Sequence, residues 1–438
     1  MNNEIGIILG ILLVTLVVVY FLYRLQKDKI LVWLGITVFW SGFNIQYHKI
    51  IDSSYISGHL SNYRFLQINI LDLLIISGIL LLAYMGFLKY NRYVLYSGLT
   101  LVIISIYSVI FVKAPSSIIW SIRLLLFYLW INGMFNYLRE FVKYKEVVKI
   151  VFLSMLAPFG INLMVGLFQL ILGHSLGLNI IGESVLTSGM MDIAVIKFLG
   201  KYLLRAYGTF PHPNILAIWL IVFYIIAILY DKHFKLKYKT LLYFLMLISI
   251  MITMSKAAIL CYLVITYIKL LHGKLKKGKL GFTITLSLLL ILVIYGHMSF
   301  DLRCLLMRRG FEIFTNGFPL SLFGVGLTGF VKELAKNPIV LNTGSYFIQP
   351  IHNAILLWIV ETGLFGVLFL ILTFVNCLSH KNIIQKNPQV RSIILVIIIV
   401  SMLDHFFITT VQGLFVLCML LFIIKLVIME HEYDKAKK

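Results

Sequence analysis

The sequence predicts an all-α polytopic membrane protein, and three observations carry that expectation. Of its 438 residues, 61% are hydrophobic and only 13% charged, against roughly 45–50% and about 25% in soluble domains. Apolar runs of about 20 residues, the length that spans a bilayer as helix, recur from end to end. The net charge of +21 is carried by short cationic clusters between these runs, a pattern that fixes membrane topology and argues against nucleic-acid binding. Composition and runs together exclude a soluble enzyme, a fibrous protein and a disordered chain.

Thirteen spans are expected near 5–23, 30–47, 66–88, 93–112, 117–138, 147–172, 214–230, 240–254, 256–271, 280–297, 353–378, 391–404 and 412–429. The second, eighth and ninth are short enough to be tilted, broken or re-entrant. No small-residue cleavage site follows the first run, which therefore reads as a span. The cationic clusters fall at 24–29, 89–92, 139–149, 232–239, 274–279, 381–391 and 425–438. They alternate with the spans without a break, which places them in the cytoplasm and two long segments outside. The chain thus divides into N-terminal helices (1–172), a first extracytoplasmic loop (173–213), central helices (214–297), a large extracytoplasmic loop (298–352), and C-terminal helices with a cytoplasmic tail (353–438).

The cytoplasmic loops are too short to hold a nucleotide-binding domain, and no Walker motif occurs. Cys261, Cys377 and Cys418 lie in apolar runs and Cys304 stands alone, so neither a disulfide framework nor a redox motif is expected. No D-x-D is present and the outer carboxylates are scattered, so a divalent-metal sugar-nucleotide site is not expected.

Chemistry concentrates in the two long segments and the adjoining helix ends. Arg205 to Asn214 runs straight into a span. Pro211 and Pro213 hold the approach extended, and Asn214 suits the N-cap. A helix N-terminus beside Arg205 and His212 fits a phosphate group; a capped helix start with a snorkelling arginine fits the same residues. Ser255-Lys256 marks a turn where Lys256 either adds positive charge to such a site or snorkels. In the second segment, Arg308 and Arg309 precede Gly324, Gly326 and Gly329. These glycines spell G-x-G-x-x-G without the βαβ unit that a dinucleotide site requires, so they read as a tight bend. His352 and Asn353 begin the next span, where the helix dipole disfavours an imidazolium. The residue reads either as a general base towards a sugar hydroxyl or as an interfacial ring. Glu361 lies nine residues on, about 13 Å along the axis, and with Gly363 takes a structural role. Asp404-His405 flanks the last outer turn and is placed to orient a partner. Arg123, inside a span, needs a partner.

Taken together, the R-x-x-G-x-x-x-H-P-N stretch at 205–214, the P-x-x-x-x-G-x-G-x-x-x-F stretch at 319–330 and the H-N-x(7)-E-x-G stretch at 352–363 resemble the O-antigen ligase and O-antigen polymerase superfamily. Ser255-Lys256 stands where that family commonly has Ser-Arg. The likeness covers roughly 205–413; the first half is similar only in hydropathy. It implies about 12–13 transmembrane helices of the GT-C type in a bacterial cytoplasmic membrane. It also implies a metal-independent, inverting transfer of glycan from undecaprenyl pyrophosphate to an acceptor hydroxyl at the outer face. On that basis Arg205, with His212, Lys256, Arg308 and Arg309, would hold the donor pyrophosphate, and His352 would take the acceptor proton. Asn214, Gly324, Gly326, Asn353, Glu361, Gly363, Asp404 and His405 would support them. The acceptor is lipid A core for a ligase, for which the compact second loop speaks, or another lipid-linked repeat for a polymerase. A transporter or lipid flippase would share the hydropathy but carry more charge within its spans. A peptidoglycan polymerase of the shape, elongation and division type would have fewer spans and an aspartate in its large outer loop, where this chain has only Asp301 at the edge.

Overall fold

The computed structural model describes residues 2–49, 55–56, 59–60, 65–140, 144–187, 193–198, 201–271, 297–340, 346–378 and 387–436. The expected span at 280–297, apart from His297, and the cationic cluster at 274–279 lie outside these residues. Among them the chain is all-α, with a few two-stranded hairpins. Among the described residues six helices are long and apolar enough to cross a membrane: Arg92–Val112, Pro115–Glu140, Tyr144–Leu172, Pro213–Phe234, Ala354–Thr373 and Val411–Lys435. These apolar helices mark the protein as membrane-embedded. Four more apolar helices, Lys29–Trp40, Ile70–Tyr84, Lys239–Thr253 and Pro388–Leu403, are shorter, and at 1.5 Å per residue none of them matches a hydrocarbon core about 30 Å thick.

The chain forms two compact units, Met1–Gln46 with Asn69–Met85 and Tyr137–Tyr262, and Tyr47–Ile68 with Gly86–Asn136 and Leu263–Lys438. The first holds helices α1 (Asn2–Leu25), α2 (Lys29–Trp40) and α3 (Ile70–Tyr84), then α6 (Tyr144–Leu172), α7 (Pro213–Phe234), α8 (Lys239–Thr253) and the start of α9 (Lys256–Leu271). Asp28 caps α2 through its Oδ1, which accepts from Ile30 N at 2.9 Å, while its Oδ2 accepts the Tyr137 hydroxyl. From Ile30 to Trp40 every residue of α2 is buried, yet its 12 residues reach only about 18 Å. The span expected at 66–88 is shorter than its apolar run, because Leu66–Asn69 is a strand paired with Gln46–Lys49. Asn69 and Asp72 then form a capping box that starts α3 at Ile70. The hydropathy of 66–69 cannot distinguish strand from helix; the cap decides it. Helix α7 is buried along almost its whole length, as a helix apolar all round must be.

The second unit holds α4 (Arg92–Val112), most of α5 (Pro115–Glu140), α10 (His297–Phe314), and two short helices, α11 (Phe318–Phe323) and α12 (Phe330–Leu334). It continues with α13 (Ala354–Leu378), α14 (Pro388–Leu403), α15 (Phe406–Thr409) and α16 (Val411–Ala436). Its core at the α10–α13 end is built from Leu306, Val325, Phe330, Leu334, Ile351, Leu357 and Val360. A second cluster joins Leu101 and Ile104 of α4 to Leu327 and Trp358. Arg123, 5% exposed within α5, donates to the Gln67 carbonyl at 3.0 Å and lies over the Trp120 ring.

Candidate functional site

In the first unit the segment 205–214 is shaped by two amides of α6. The Gln169 Oε1 accepts from Tyr207 N and Gly208 N at 2.9 and 2.8 Å, and its Nε2 donates to the Gly208 carbonyl and the Glu183 carboxylate. Two turns back, Asn162 accepts from Thr209 N at 2.8 Å and donates to the Gly42 and Pro158 carbonyls. Asn162, Gln169, Glu183 and Thr209 are all buried, and their mutual bonding satisfies groups that would otherwise be costly there. Gly208 sits at φ 58, its α-carbon facing Asn162, where a side chain would have no room.

This clamp presents Arg205. Its Nε donates to the Thr253 carbonyl at 2.8 Å and its guanidinium to Asn214 Oδ1 at 2.5 Å. The side chain therefore connects the end of α8 to the first turn of α7. Thr253 is followed by Met254 in left-handed conformation and by Ser255, after which α9 starts at Lys256. Arg205 and the Ser255-Lys256 turn are thus neighbours through Thr253, and the Ser255 hydroxyl is buried with no hydrogen-bond partner among the described residues. Asn214 is not the N-cap expected from the sequence. His212 is, its ring Nδ1 accepting from Asn214 N at 3.1 Å. Pro213 occupies the first helical position, where a missing N–H costs nothing. This shifts the cap to the residue before the proline and leaves the Asn214 side chain to meet Arg205. Burial pushes the Tyr207 phenol above its ordinary range, while the Ala194 N–H and the Arg205 charge pull the other way.

In the second unit, Gln349 to Asn353 leads into α13. Asn353 Oδ1 accepts from Leu356 N at 2.9 Å, and Ala354 N donates to the backbone carbonyl of Asp404 at the end of α14. That bond brings His352 beside Asp404 and His405. His352 Nδ1 lies 3.8 Å from Asp404 Oδ1, and His405 Nε2 lies 4.0 Å from the same oxygen. The two imidazole centroids are 4.8 Å apart. The Asp404-His405 pair and His352 each stand out in the sequence, but no spacing there joins the pair to His352. Arg303, on α10, donates to the Leu403 carbonyl at 2.9 Å.

Gly324, Gly326, Glu361 and Gly363 form one backbone interlock. Helix α13 breaks at Gly363, at φ 63 and ψ −154. Across the break, Val325 N and Gly326 N donate to the Val360 and Glu361 carbonyls at 3.0 and 2.9 Å. The buried Glu361 carboxylate accepts from the backbone of Thr328 and Phe330 at the start of α12. Glu361→Ala is expected to lower stability by about 1–3 kcal/mol by orphaning those N–H groups, and Glu361→Gln by less, because its amide oxygen still accepts; unfolding in detergent measures both. Arg308 and Arg309 both pair with Glu312 on α10 at 3.0 and 3.1 Å, in exposed positions.

Asn162, Gln169, Glu183 and Thr253 shape these sites yet belong to no sequence motif. An amide inside an apolar span is a signal for the first two, since polar groups in a span need partners.

Fold and site define a membrane-embedded, all-α protein. Its first unit carries an arginine fixed between helix termini, and its second a histidine–carboxylate cluster. In comparisons with known proteins, no family model matches the chain and no curated sequence matches it significantly.

Proposed function

We propose that the protein is an O-antigen ligase-like glycosyltransferase. It moves a glycan from undecaprenyl pyrophosphate to an acceptor hydroxyl at the outer face of a bacterial cytoplasmic membrane. The observation that carries this reading is Arg205, held by Thr253 and Asn214 beside the first turns of α7 and α9. Two helix N-termini, a guanidinium and Lys256 supply the positive potential that a pyrophosphate leaving group needs. In the reaction the acceptor oxygen attacks the anomeric carbon as its bond to pyrophosphate oxygen breaks, inverting that centre. The acceptor proton passes to His352, and the negative charge gathers on the departing undecaprenyl pyrophosphate, where Arg205 and Lys256 stabilise it. Asp404, whose Oδ1 lies 3.8 Å from His352 Nδ1, stands beside the base. Arg308 and Arg309 contribute less, since both are engaged by Glu312.

The test is reconstitution with an undecaprenyl-pyrophosphate oligosaccharide pool and a set of acceptors. Acceptor-dependent release of undecaprenyl pyrophosphate is expected from wild type and is expected to fall at least about 100-fold in His352→Ala. A single transferred block marks the ligase, and a ladder of lengths marks the polymerase of the same superfamily. Intact donor on every acceptor defeats the reading, and donor crossing the bilayer replaces it with a flippase.

A further inference from the structure

The geometry points to a divalent transition-metal site at His352, Asp404 and His405, of the kind that takes Zn2+ through two imidazoles and one carboxylate. Four observations converge on it. The three ligand atoms lie within 4.8 Å of one another. The His352 Nδ1 is buried and has no hydrogen-bond partner among the described residues, although the ring's other nitrogen, Nε2, faces Gln349 Oε1 at 3.3 Å. An amide oxygen only accepts, so that contact places the ring proton on Nε2 and leaves the Nδ1 lone pair directed at Asp404. His405 is held as well. Its Nδ1 meets Thr409 Oγ1 at 2.8 Å, and the Thr409 hydroxyl donates to the His405 carbonyl. The Thr409 contact holds the ring from behind, with its Nε2 4.0 Å from the Asp404 carboxylate.

Two imidazole nitrogens and a carboxylate oxygen this close together are a ligand set that suits a divalent transition metal. Partners that hold each ring from behind are the arrangement that accompanies metal-ligating histidines. Bonds of about 2.0–2.1 Å in a tetrahedral shell place ligand atoms about 3.3 Å apart, so the 3.8 and 4.0 Å separations close with small side-chain movements. Three protein ligands leave one position open, the pattern of a metal that meets substrate or water. The nearby Arg303 guanidinium is engaged by the Leu403 carbonyl.

The site does not depend on the transfer reading, and it constrains that reading. A metal on Nδ1 keeps the ring proton on Nε2, so His352 serves either as ligand or as base. Zn2+ should therefore inhibit transfer wherever transfer occurs.

The experiment uses the full chain in detergent, stripped with chelator, and titrates it with Co2+ or Zn2+ alone. Expected are one bound metal per chain, the intense visible bands of low-coordinate Co2+, and a melting temperature raised by Zn2+ but not by Mg2+. His405→Ala should weaken binding at least about tenfold and abolish the Co2+ bands, while His174→Ala, at an exposed histidine bonded to Ser175, should leave both intact. If His405→Ala does not fold, Asp404→Asn and the wild-type comparison of Zn2+ with Mg2+ decide the matter. No specific binding, or binding that survives His405→Ala or Asp404→Asn, overturns the site. Neither result touches the release of undecaprenyl pyrophosphate by metal-stripped protein, on which the transfer reading stands or falls.

Discussion

Gly363→Ala is expected to destabilise the protein by about 2–5 kcal/mol, from backbone strain of about 1–3 kcal/mol and overpacking of a similar size. The position allows no side chain on two independent counts. Its φ of 63 with ψ of −154 falls in a region that only glycine occupies readily. A β-carbon there would also press on the Leu322 backbone and lie 2.6 Å from Gly324 N. Gly324 mirrors the arrangement at φ 74, where a β-carbon would lie 2.5 Å from the Glu361 carbonyl oxygen and from Thr362 N. The two segments meet backbone to backbone, and so Val325 N and Gly326 N reach the carbonyls that the broken helix exposes. Inside a membrane those carbonyls have no water to turn to. The aromatic stack of Tyr107, Phe323 and Phe365 flanks the junction, and the Tyr107 hydroxyl donates to the Gly324 carbonyl. Thermal unfolding in detergent checks the effect. Gly160→Ala in α6, where a β-carbon meets nothing within 4 Å, should stay within about 1 kcal/mol of wild type. A Gly363→Ala protein that melts like wild type would show that the break is not held by this contact.

The helices are legible in the sequence because a span is a property of composition over about twenty residues. Starts and stops are less so. The run at 66–88 carries no sign that Leu66–Asn69 pairs as a strand, and the break at Gly363 is invisible to hydropathy. The site is legible residue by residue. Arg205, His352, Asp404 and His405 stand out as charged or titratable groups beside apolar runs, but their partners come from distant positions. Thr253 and Asn214 meet Arg205 because α7 and α8 pack together. Asp404 meets His352 through one backbone bond to Ala354. Long-range pairings of this kind leave no periodic trace. The Asn214 cap fails for a local reason: two residues able to cap flank Pro213, and the proline's missing N–H decides between them.

Arg205 is where the mechanism can be separated from the scaffold. Its guanidinium makes two fixed bonds, to the carbonyl of Thr253 and to Asn214 Oδ1, so its removal must have a structural cost as well as a chemical one. Arg205→Ala leaves the Thr253 carbonyl without this donor, which is worth about 1–3 kcal/mol of stability. If the same group stabilises a pyrophosphate leaving group, turnover should fall about 100- to 1000-fold, as it does when one preorganised donor to a developing charge is removed. Arg205→Lys separates the two roles further. A lysine restores the charge but cannot reach two acceptors in a planar fork, so it should recover much less turnover than stability. Asn214→Ala keeps the arginine and its Thr253 bond, and should lie between wild type and Arg205→Ala in donor turnover. Unfolding in detergent and undecaprenyl pyrophosphate release, measured on the same preparations, give both quantities. A variant set in which release follows the folded fraction alone would make Arg205 a strut between α7 and α8 and remove it from the chemistry. Release that falls far beyond any loss of fold, in the order Asn214→Ala, Arg205→Lys, Arg205→Ala, would place its charge on the leaving group.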